Sequence, residues 1–337
     1  MYLVRVGLKM LELDKKMVEL LQKGVTFTKL KTKTGLCSSD LVQKMNRLKE
    51  KGYLIDRNFN EYGVKFKIID KPLMVLQNNV TITTGPKFSF LVISDTHIGN
   101  IYENIALIRK IYEYAEDNNI HYVFHLGDMI EGVAKEGQNS DRIKRDNVHD
   151  QVDYLTRYYP KSDKVETLYI LGNHDYRCMI EGIDISKIIS NRRLDMHFLG
   201  YKNSKLHVCN RNLLMHHPFF IDKAQKYDDE VKELYYNPDF DIIFRGHTHN
   251  NLVYVNDMNS LVINVPACYD SPSRKHIGLY EVTIANDDLE LDSLIVDDSE
   301  VSHFATLNHR MKPKQLIKTP NDQISKFNNR ANKAKKI

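Results

Sequence analysis

At 337 residues the chain is long enough for a catalytic domain of ordinary size plus a smaller unit. Its 42% hydrophobic and 27% charged residues are those of a soluble globular protein, and no apolar run nears the length of a membrane span. The net charge of +4 hides an uneven spread: residues 1 to 70 carry 15 Lys or Arg against 8 acids, residues 309 to 337 carry 9 against 1, and the middle carries 24 against 35. A net-acidic body flanked by basic ends fits a metal-binding core with arms able to lie on a polyanion, or basic ends that only aid solubility. The cysteines, Cys37, Cys178, Cys209 and Cys268, make no paired spacing, so neither a disulfide framework nor a zinc knuckle is expected. Met1 to Met10 lacks a long apolar centre and a small-residue cleavage site, which predicts no signal peptide and a cytoplasmic location.

In chain order, Asp14 can cap a helix through about Lys23, with Met17, Val18, Leu20 and Leu21 as its apolar stripe. Thr26 to Thr34 gives a second short helix ended by Gly35. Ser38 or Ser39 can cap a third, which turns Leu41, Val42, Met45 and Leu48 inward and stops at Gly52. Tyr53 to Ile55 and Val64 to Ile69 read as two strands around a polar turn. Three helices followed by a two-stranded ribbon, with Leu48 to Ile55 leading into the ribbon, resemble the winged helix-turn-helix family. The resemblance implies a domain over residues 1–70 whose third helix enters the DNA major groove. Ser39, Gln43, Lys44 and Arg47 would then meet bases or phosphates. The competing reading is a module that contacts protein or packs on its own catalytic domain.

Residues 71–87, with Pro72, Gly85 and Pro86, read as a linker, and Val80 to Thr83 as an edge strand within it. From Phe88 strands alternate with helical patterns, the rhythm of a layered α/β domain extending to about residue 308. Ile101 to Asn118, His149 to Tyr159 and Asp222 to Tyr236 are its candidate helices, and Leu261 to Ala267 and Leu279 to Ile284 its late strands. Residues 309–337, rich in Lys, Asn and Gln, bury too little apolar surface to offset ordering entropy and are expected to be mobile.

Five strand-like runs end in metal-binding side chains. Phe88 to Ser94 leads to Asp95-Thr96-His97, Tyr122 to Leu126 to Gly127-Asp128, and Val165 to Ile170 to Leu171-Gly172-Asn173-His174-Asp175. Leu213 to Met215 leads to His216-His217, and Ile242 to Arg245 to Gly246-His247-Thr248-His249. Donors at the carboxyl ends of separate strands converge in one crevice of an open α/β sheet. Asp95, His97, Asp128, Asn173, His216, His247 and His249 offer oxygen and imidazole but no thiolate, a mixture that suits manganese, iron or zinc better than calcium. Seven donors exceed the needs of one ion with open positions, so two divalent ions sharing a carboxylate are the economical arrangement.

Together, these motifs resemble the calcineurin-like metallophosphoesterase superfamily over roughly residues 88–285. The resemblance implies a four-layer αββα sandwich with a dinuclear site at one edge. Carried over position by position, Asp95, His97 and His249 would hold one metal and Asp128 would bridge. Asn173, His216 and His247 would complete the second; His217, which precedes Pro218, is the less favoured partner of that pair. His174 would stabilise the phosphoryl oxygens or protonate the leaving oxygen, with Asp175 orienting its imidazole or only capping the loop. Arg177 could hold a substrate phosphate, and Arg142, Lys144 and Arg145 could line its path. His121, His125, His149 and His276 match no motif position and are expected to be structural.

The superfamily acts on several phosphoesters, so substrate must be argued from other parts. Basic ends and a winged helix favour nucleic acid, most simply DNA. The stretch Ser94-Asp95-Thr96-His97-Ile98-Gly99 is similar to that of the DNA-repair nuclease branch, although the further capping domain of that branch is not matched here. The leading expectation is a manganese-dependent DNA phosphodiesterase or nuclease, with no membrane association and the protein partner unknown. The alternatives are a phosphatase or small-molecule diesterase targeted by its winged helix, and a DNA-binding regulator without activity.

Overall fold

The computed structural model describes residues 13–50, 53–69, 79–133, 140–145, 147–218, 234–235, 237–270, 277–297 and 300–311. Residues 13–22 form helix α1, and after strand β1 (Val25–Thr26) come α2 (Phe27–Thr34) and α3 (Ser38–Glu50). Thr26 caps α2 by accepting from Lys29 N, and Gly35 ends it at φ 69°, the left-handed turn that a glycine takes without strain. A hairpin of β2 (Leu54–Asn60) and β3 (Gly63–Ile69) follows, with β1 pairing antiparallel to β3. Met17, Leu21, Leu30, Leu41 and Met45 form the interior of this module, as the sequence pattern predicts.

The body is two sheets packed face to face. One is a seven-stranded sheet ordered β16-β15-β14-β5-β6-β7-β8, where β5 is Lys87–Ile93, β6 Tyr122–His125, β7 Glu166–Leu171 and β8 Met196–Tyr201. Its remaining strands are β14 Ile277–Ala285, β15 Asp288–Val296 and β16 Val301–Arg310. Strands β5 to β8 run parallel. Their outer face is covered by α4 (Ile105–Asp117), α5 (Val148–Tyr158), α6 (Asn173–Ile180) and α7 (Ile185–Arg192), whose Ile108, Ile111, Val152, Leu155 and Ile189 share one core with Leu91, Val123 and Tyr169. The nine-stranded sheet is ordered β1-β3-β2-β4-β9-β10-β11-β13-β12. Here β4 is Asn79–Thr83, β9 Asn203–Val208, β10 Arg211–His216, β11 Ile242–Arg245, β12 Leu252–Val255 and β13 Leu261–Asn264. Phe90, Phe124, Leu213, Met215 and Phe244 fill the space between the sheets, and Leu214, Ile243 and Val262 point out of the second sheet toward Tyr235 and Phe240. The helix expected over Asp222 to Tyr236, which would supply the fourth layer, falls almost wholly outside the described residues, as does the tail beyond Met311.

Two expectations change. The strand expected at an edge within the linker is β4, which lies inside the large sheet, parallel to both β2 and β9. Its Ile82 is buried in the same core as Phe59 of the hairpin and Leu206 of the body, so the expected linker is a stitch between the two units. Residues 309 and 310, expected in the tail, close β16, and Met311 is buried with its N–H donating to Asp287 O. All four cysteines are free thiols. Among the described residues no helix is long and apolar enough to cross a membrane.

The helical module meets the amino-terminal ends of β6, β7 and β8. Thr28 Oγ1 donates to Asp163 O at 2.9 Å and Lys31 Nζ pairs with Asp163 at 2.8 Å. Asn46 Nδ2 donates to Asn191 O at 3.1 Å, and Tyr122 OH to Asn60 O at 2.5 Å. At the centre of the junction His197 takes the edge of the Phe59 ring at 5.6 Å, with Glu166 Oε2 2.8 Å from its Nε2. Burial, then Asp195, pushes the Glu166 carboxyl up to about 8, while burial, then Arg57, holds His197 well below 6.5. The pair therefore shares one proton, with the Glu166 hydroxyl donating to the imidazole. The raised Glu166 makes the folded chain bind the extra proton, a contribution lost as pH rises toward 8; the depressed His197 acts oppositely only below about 6.5. Stability should thus fall by roughly 2 kcal/mol between pH 6.5 and 8, and Glu166→Gln should flatten that slope. Denaturant melts across this range check it, and an equal slope in the variant contradicts it.

Candidate metal centre

The five strand ends converge as the motif spacing predicts, at the pole opposite the helical module. The backbone there is unusual: Asp95, His97, Asp128, His247 and His249 have φ of 55°, 44°, 51°, 69° and 56°. Left-handed geometry costs a side-chain-bearing residue on the order of 1–3 kcal/mol, and it lasts only where neighbouring contacts fix it. Asp95 N donates to Gly127 O and His97 N to Asp128 O, both at 3.0 Å, and Gly246 N donates to His216 O at 3.0 Å. The sharp turns send each chain out of its sheet while aiming its side chain back over the strand ends. The loops touch at Gly172, where a Cβ would lie 2.2 Å from Asp128 Oδ1. Only glycine lets the β7 end pass the Asp128 carboxylate.

Among the described residues, three groups of side chains have candidate ligand atoms within 4.8 Å of one another: Asp95, His97 and His249; His97, Asp128 and His174; and Asp128, His217 and His247. Shared members join them into one chain. His249 Nε2 lies 2.9 Å from Asp95 Oδ1 and 3.4 Å from His97 Nε2. At the other end His217 Nε2 lies 3.2 Å from both Asp128 Oδ2 and Asn173 Oδ1. Asp128 stands between, its Oδ1 accepting from His174 N at 2.8 Å. Burial opposes ionisation of both acids, yet His249 and His97 hold Asp95 well below the carboxylate range, and His217 and His174 do the same for Asp128. Burial likewise opposes charge on His217, but Asp128 drives it up to about 9. His247 is pulled down to about 4 by burial and by the charge of His217. Ionised acids, unprotonated imidazole and an amide oxygen, all buried or half-buried, fit two divalent cations with Asp128 between them.

Several expected roles move. His217, not His216, faces Asp128 and Asn173. Strand alternation puts His216 on the outer face with Leu214, where its Nδ1 meets Tyr235 OH at 2.8 Å. Burial and Arg245 hold it at about 3. Asp175 does not reach the His174 imidazole; its carboxylate accepts from Gly172 N, Met129 N and Ile130 N at 2.9, 3.1 and 3.1 Å, tying α6 to the loop after β6. The group that sets the His174 ring is the Glu131 carbonyl, 2.6 Å from Nδ1, which leaves Nε2 for a substrate. Arg177 turns to backbone, donating to Asn173 O and Val133 O at 3.3 Å each. Lys144 and Arg145 pair with Glu103, Arg145 also covering the Tyr154 ring. In the helical module Ser39, Gln43 and Arg47 are exposed, whereas Lys44 is half-buried in an ion pair with Asp14. His125 is structural as expected, its Nε2 3.1 Å from Thr96 Oγ1 and burial holding it at about 3.

Glu131 was not singled out by the sequence reading. Its Oε2 lies 2.9 Å from His97 Nδ1 and accepts from Asn100 Nδ2 at 3.0 Å, so it fixes the imidazole with Nε2 toward the crevice. Its only sequence signal is an acid three residues after Asp128. Tyr269 also borders the site, its ring 4.9 Å from that of His97.

Residues 88–251 match the family of calcineurin-like phosphoesterases. Solved structures similar to the chain include an archaeal phosphodiesterase, 15% identical, covering 65% of this chain and 100% of its own, with a TM-score of 0.39. Vps29 of Entamoeba histolytica complexed with zinc is 12% identical, covering 66% and 99% with a TM-score of 0.39. A dimetal phosphatase of Danio rerio is 10% identical, covering 67% and 99% with a TM-score of 0.41. No curated protein matches.

Two substitutions separate the adjacent histidines of this site. His217→Ala should lose one equivalent of bound metal, whereas His216→Ala should keep full loading and lose only the tie to Tyr235. Elemental analysis after reconstitution decides, and the reverse pattern contradicts the assignment. Gly172→Ala should lower metal occupancy as well as stability, because its methyl group displaces Asp128.

Proposed function

We propose that the chain is a dinuclear metal-dependent phosphodiesterase acting on nucleic acid, DNA in the first place, with manganese as the working metal. The observation that carries the reading is the overlap of the three donor groups at His97 and Asp128 in one crevice. Asp95, His97 and His249 would hold one ion and Asn173, His217 and His247 the other, with Asp128 shared. When bound, such a pair neutralises phosphoryl oxygens and lowers the pKa of water. The chain's own part is to fix His97 through Glu131 and to present His174 Nε2 beside the crevice, where it can bind a phosphoryl oxygen or hand a proton to the departing oxygen. His174 is half-buried, so a substrate phosphate can reach it.

The nucleic-acid part of the reading rests on the order of elements in the module, three helices and then a hairpin, and on the exposed Gln43 and Arg47 of α3. A second reading has its own support. The module packs at the amino-terminal pole of β6 to β8, away from the donors, which suits a small phosphodiester or a phosphomonoester as substrate with the module as an anchor. A complete donor set disfavours the inactive regulator.

Purified protein with manganese, compared with the same protein in chelator, should cleave single- or double-stranded DNA together with a bis-aryl phosphodiester. His174→Ala should slow this by about 10²- to 10⁴-fold. Turnover of an aryl phosphomonoester with DNA untouched would select the second reading, and no turnover of any substrate would reject both. For duplex binding, Arg47→Ala should lower the slope of log affinity against log salt by about 1. Lys44→Ala should instead act on the stability of the module through Asp14, and a salt slope insensitive to Arg47 would remove α3 from the interface.

A further inference from the structure

The donors run as a chain from His249 to Asn173, and an aromatic side chain stands at each end of it. At the first end the Tyr269 ring meets two ligand candidates, 4.9 Å from the His97 ring at 64° and 5.7 Å from the His249 ring at 78°. Contacts this steep use ring edges against faces and leave tyrosine surface for another flat group. The Tyr269 loop is tied to the loop after β5, Asp270 N donating to Tyr102 O at 2.9 Å. Tyr102 and Tyr269 are half-buried and Ile101 is exposed, so this rim of the crevice is apolar and carries two tyrosines.

At the second end Tyr176 lies nearly one turn along α6 from Asn173, whose Oδ1 is 3.2 Å from His217 Nε2. Helix side chains lean toward the amino terminus, which carries the Tyr176 ring back over the turn of Asn173 and His174. That ring is 38% exposed, and Tyr201, at the end of β8, braces it at 6.4 Å and 75°. Tyr201 is anchored to the crevice in its turn: the next residue, Lys202, donates its N–H to Leu171 O at 3.1 Å, and its carbonyl accepts from His217 N at 2.7 Å. His174, with its ring 4.7 Å from that of His97, stands between the two flanks. A phosphomonoester has one substituent and would leave one flank unused. A phosphodiester has two, and where each carries a base both flanks gain a stacking partner, whatever the base, because every base has a π-face.

We propose that Tyr269 and Tyr176 are specificity-determining residues that hold the two bases flanking the scissile phosphate, so that the preferred substrate is an internucleoside phosphodiester and not a monoester. The proposal rests on the phosphodiesterase reading and adds to it a requirement for flat groups on both sides of the phosphorus.

The test is isothermal titration of the manganese-loaded full chain with a dithymidine phosphonate, methylene groups replacing both bridging oxygens so that it is not cleaved, and with analogues lacking one base or both. Each base should tighten binding about tenfold. Tyr269→Leu should erase the gain from one base and Tyr176→Leu the gain from the other, at full metal loading by elemental analysis, and Tyr269→Phe and Tyr176→Phe should restore them. A parent chain that binds all the analogues equally, or a fully loaded leucine variant that keeps both gains, would overturn the proposal; if leucine displaces metal, the parent's ranking of the analogues still decides. Cleavage is scored apart. A chain that cleaves a bis-aryl diester yet ignores the bases loses this proposal alone, whereas one that ranks the bases and cleaves no diester loses the phosphodiesterase reading.

Discussion

The site depends on one buried carboxylate held between two loops. Asp128 leaves β6 in a left-handed turn, accepts the His174 N–H on one oxygen and faces the His217 imidazole with the other, at the point where Gly172 allows the β7 end to pass. An ionised acid with so little solvent is unstable unless positive charge surrounds it. Here protonated imidazole performs that service, and divalent cations would do it better, since Asp95, His247 and His249 would hold them as well. The strained turns, the close glycine and the carboxylate form a single arrangement, and changing one disturbs the rest.

Much of this was legible in the sequence. Strand-like runs ending in Asp-x-His, Gly-Asp, Gly-Asn-His and Gly-His-x-His placed Asp95, His97, Asp128, Asn173, His247 and His249 at converging strand ends, and the structure brings all six together. His216 and Asp175 were misread for different reasons. The alternation Leu213 in, Leu214 out, Met215 in already sends His216 outward, so the signal existed and was outweighed by position in a motif. Asp175 sits in the first turn of α6, where a carboxylate finds backbone N–H groups within reach, so local capping won over a distant imidazole. Glu131 carried almost no signal, because its role comes from a loop fold that periodicity does not describe.

The helical module illustrates the same limit at larger scale. Its three helices and hairpin follow from capping residues and apolar spacing, but its placement does not. That placement is set by Ile82 and Phe59 sharing a core with the body, by His197, paired with Glu166, meeting the Phe59 ring, and by β4 joining two stretches of sheet. A Pro- and Gly-bearing stretch read as a linker, yet five residues of it are a strand. The consequence for function is geometric: module and donors occupy opposite poles of the parallel strands, so a long substrate touching both must run along the body, while a short one need not.

Electron paramagnetic resonance of the chain titrated with manganese tests the central claim, that Asp128 joins two metal positions, most directly. Filling both positions should replace the hyperfine pattern of isolated ions by the broadened, exchange-coupled spectrum of a bridged pair, and Asp128→Asn should abolish the coupling. A spectrum of isolated ions at full loading, or coupling that persists in that variant, would contradict the account.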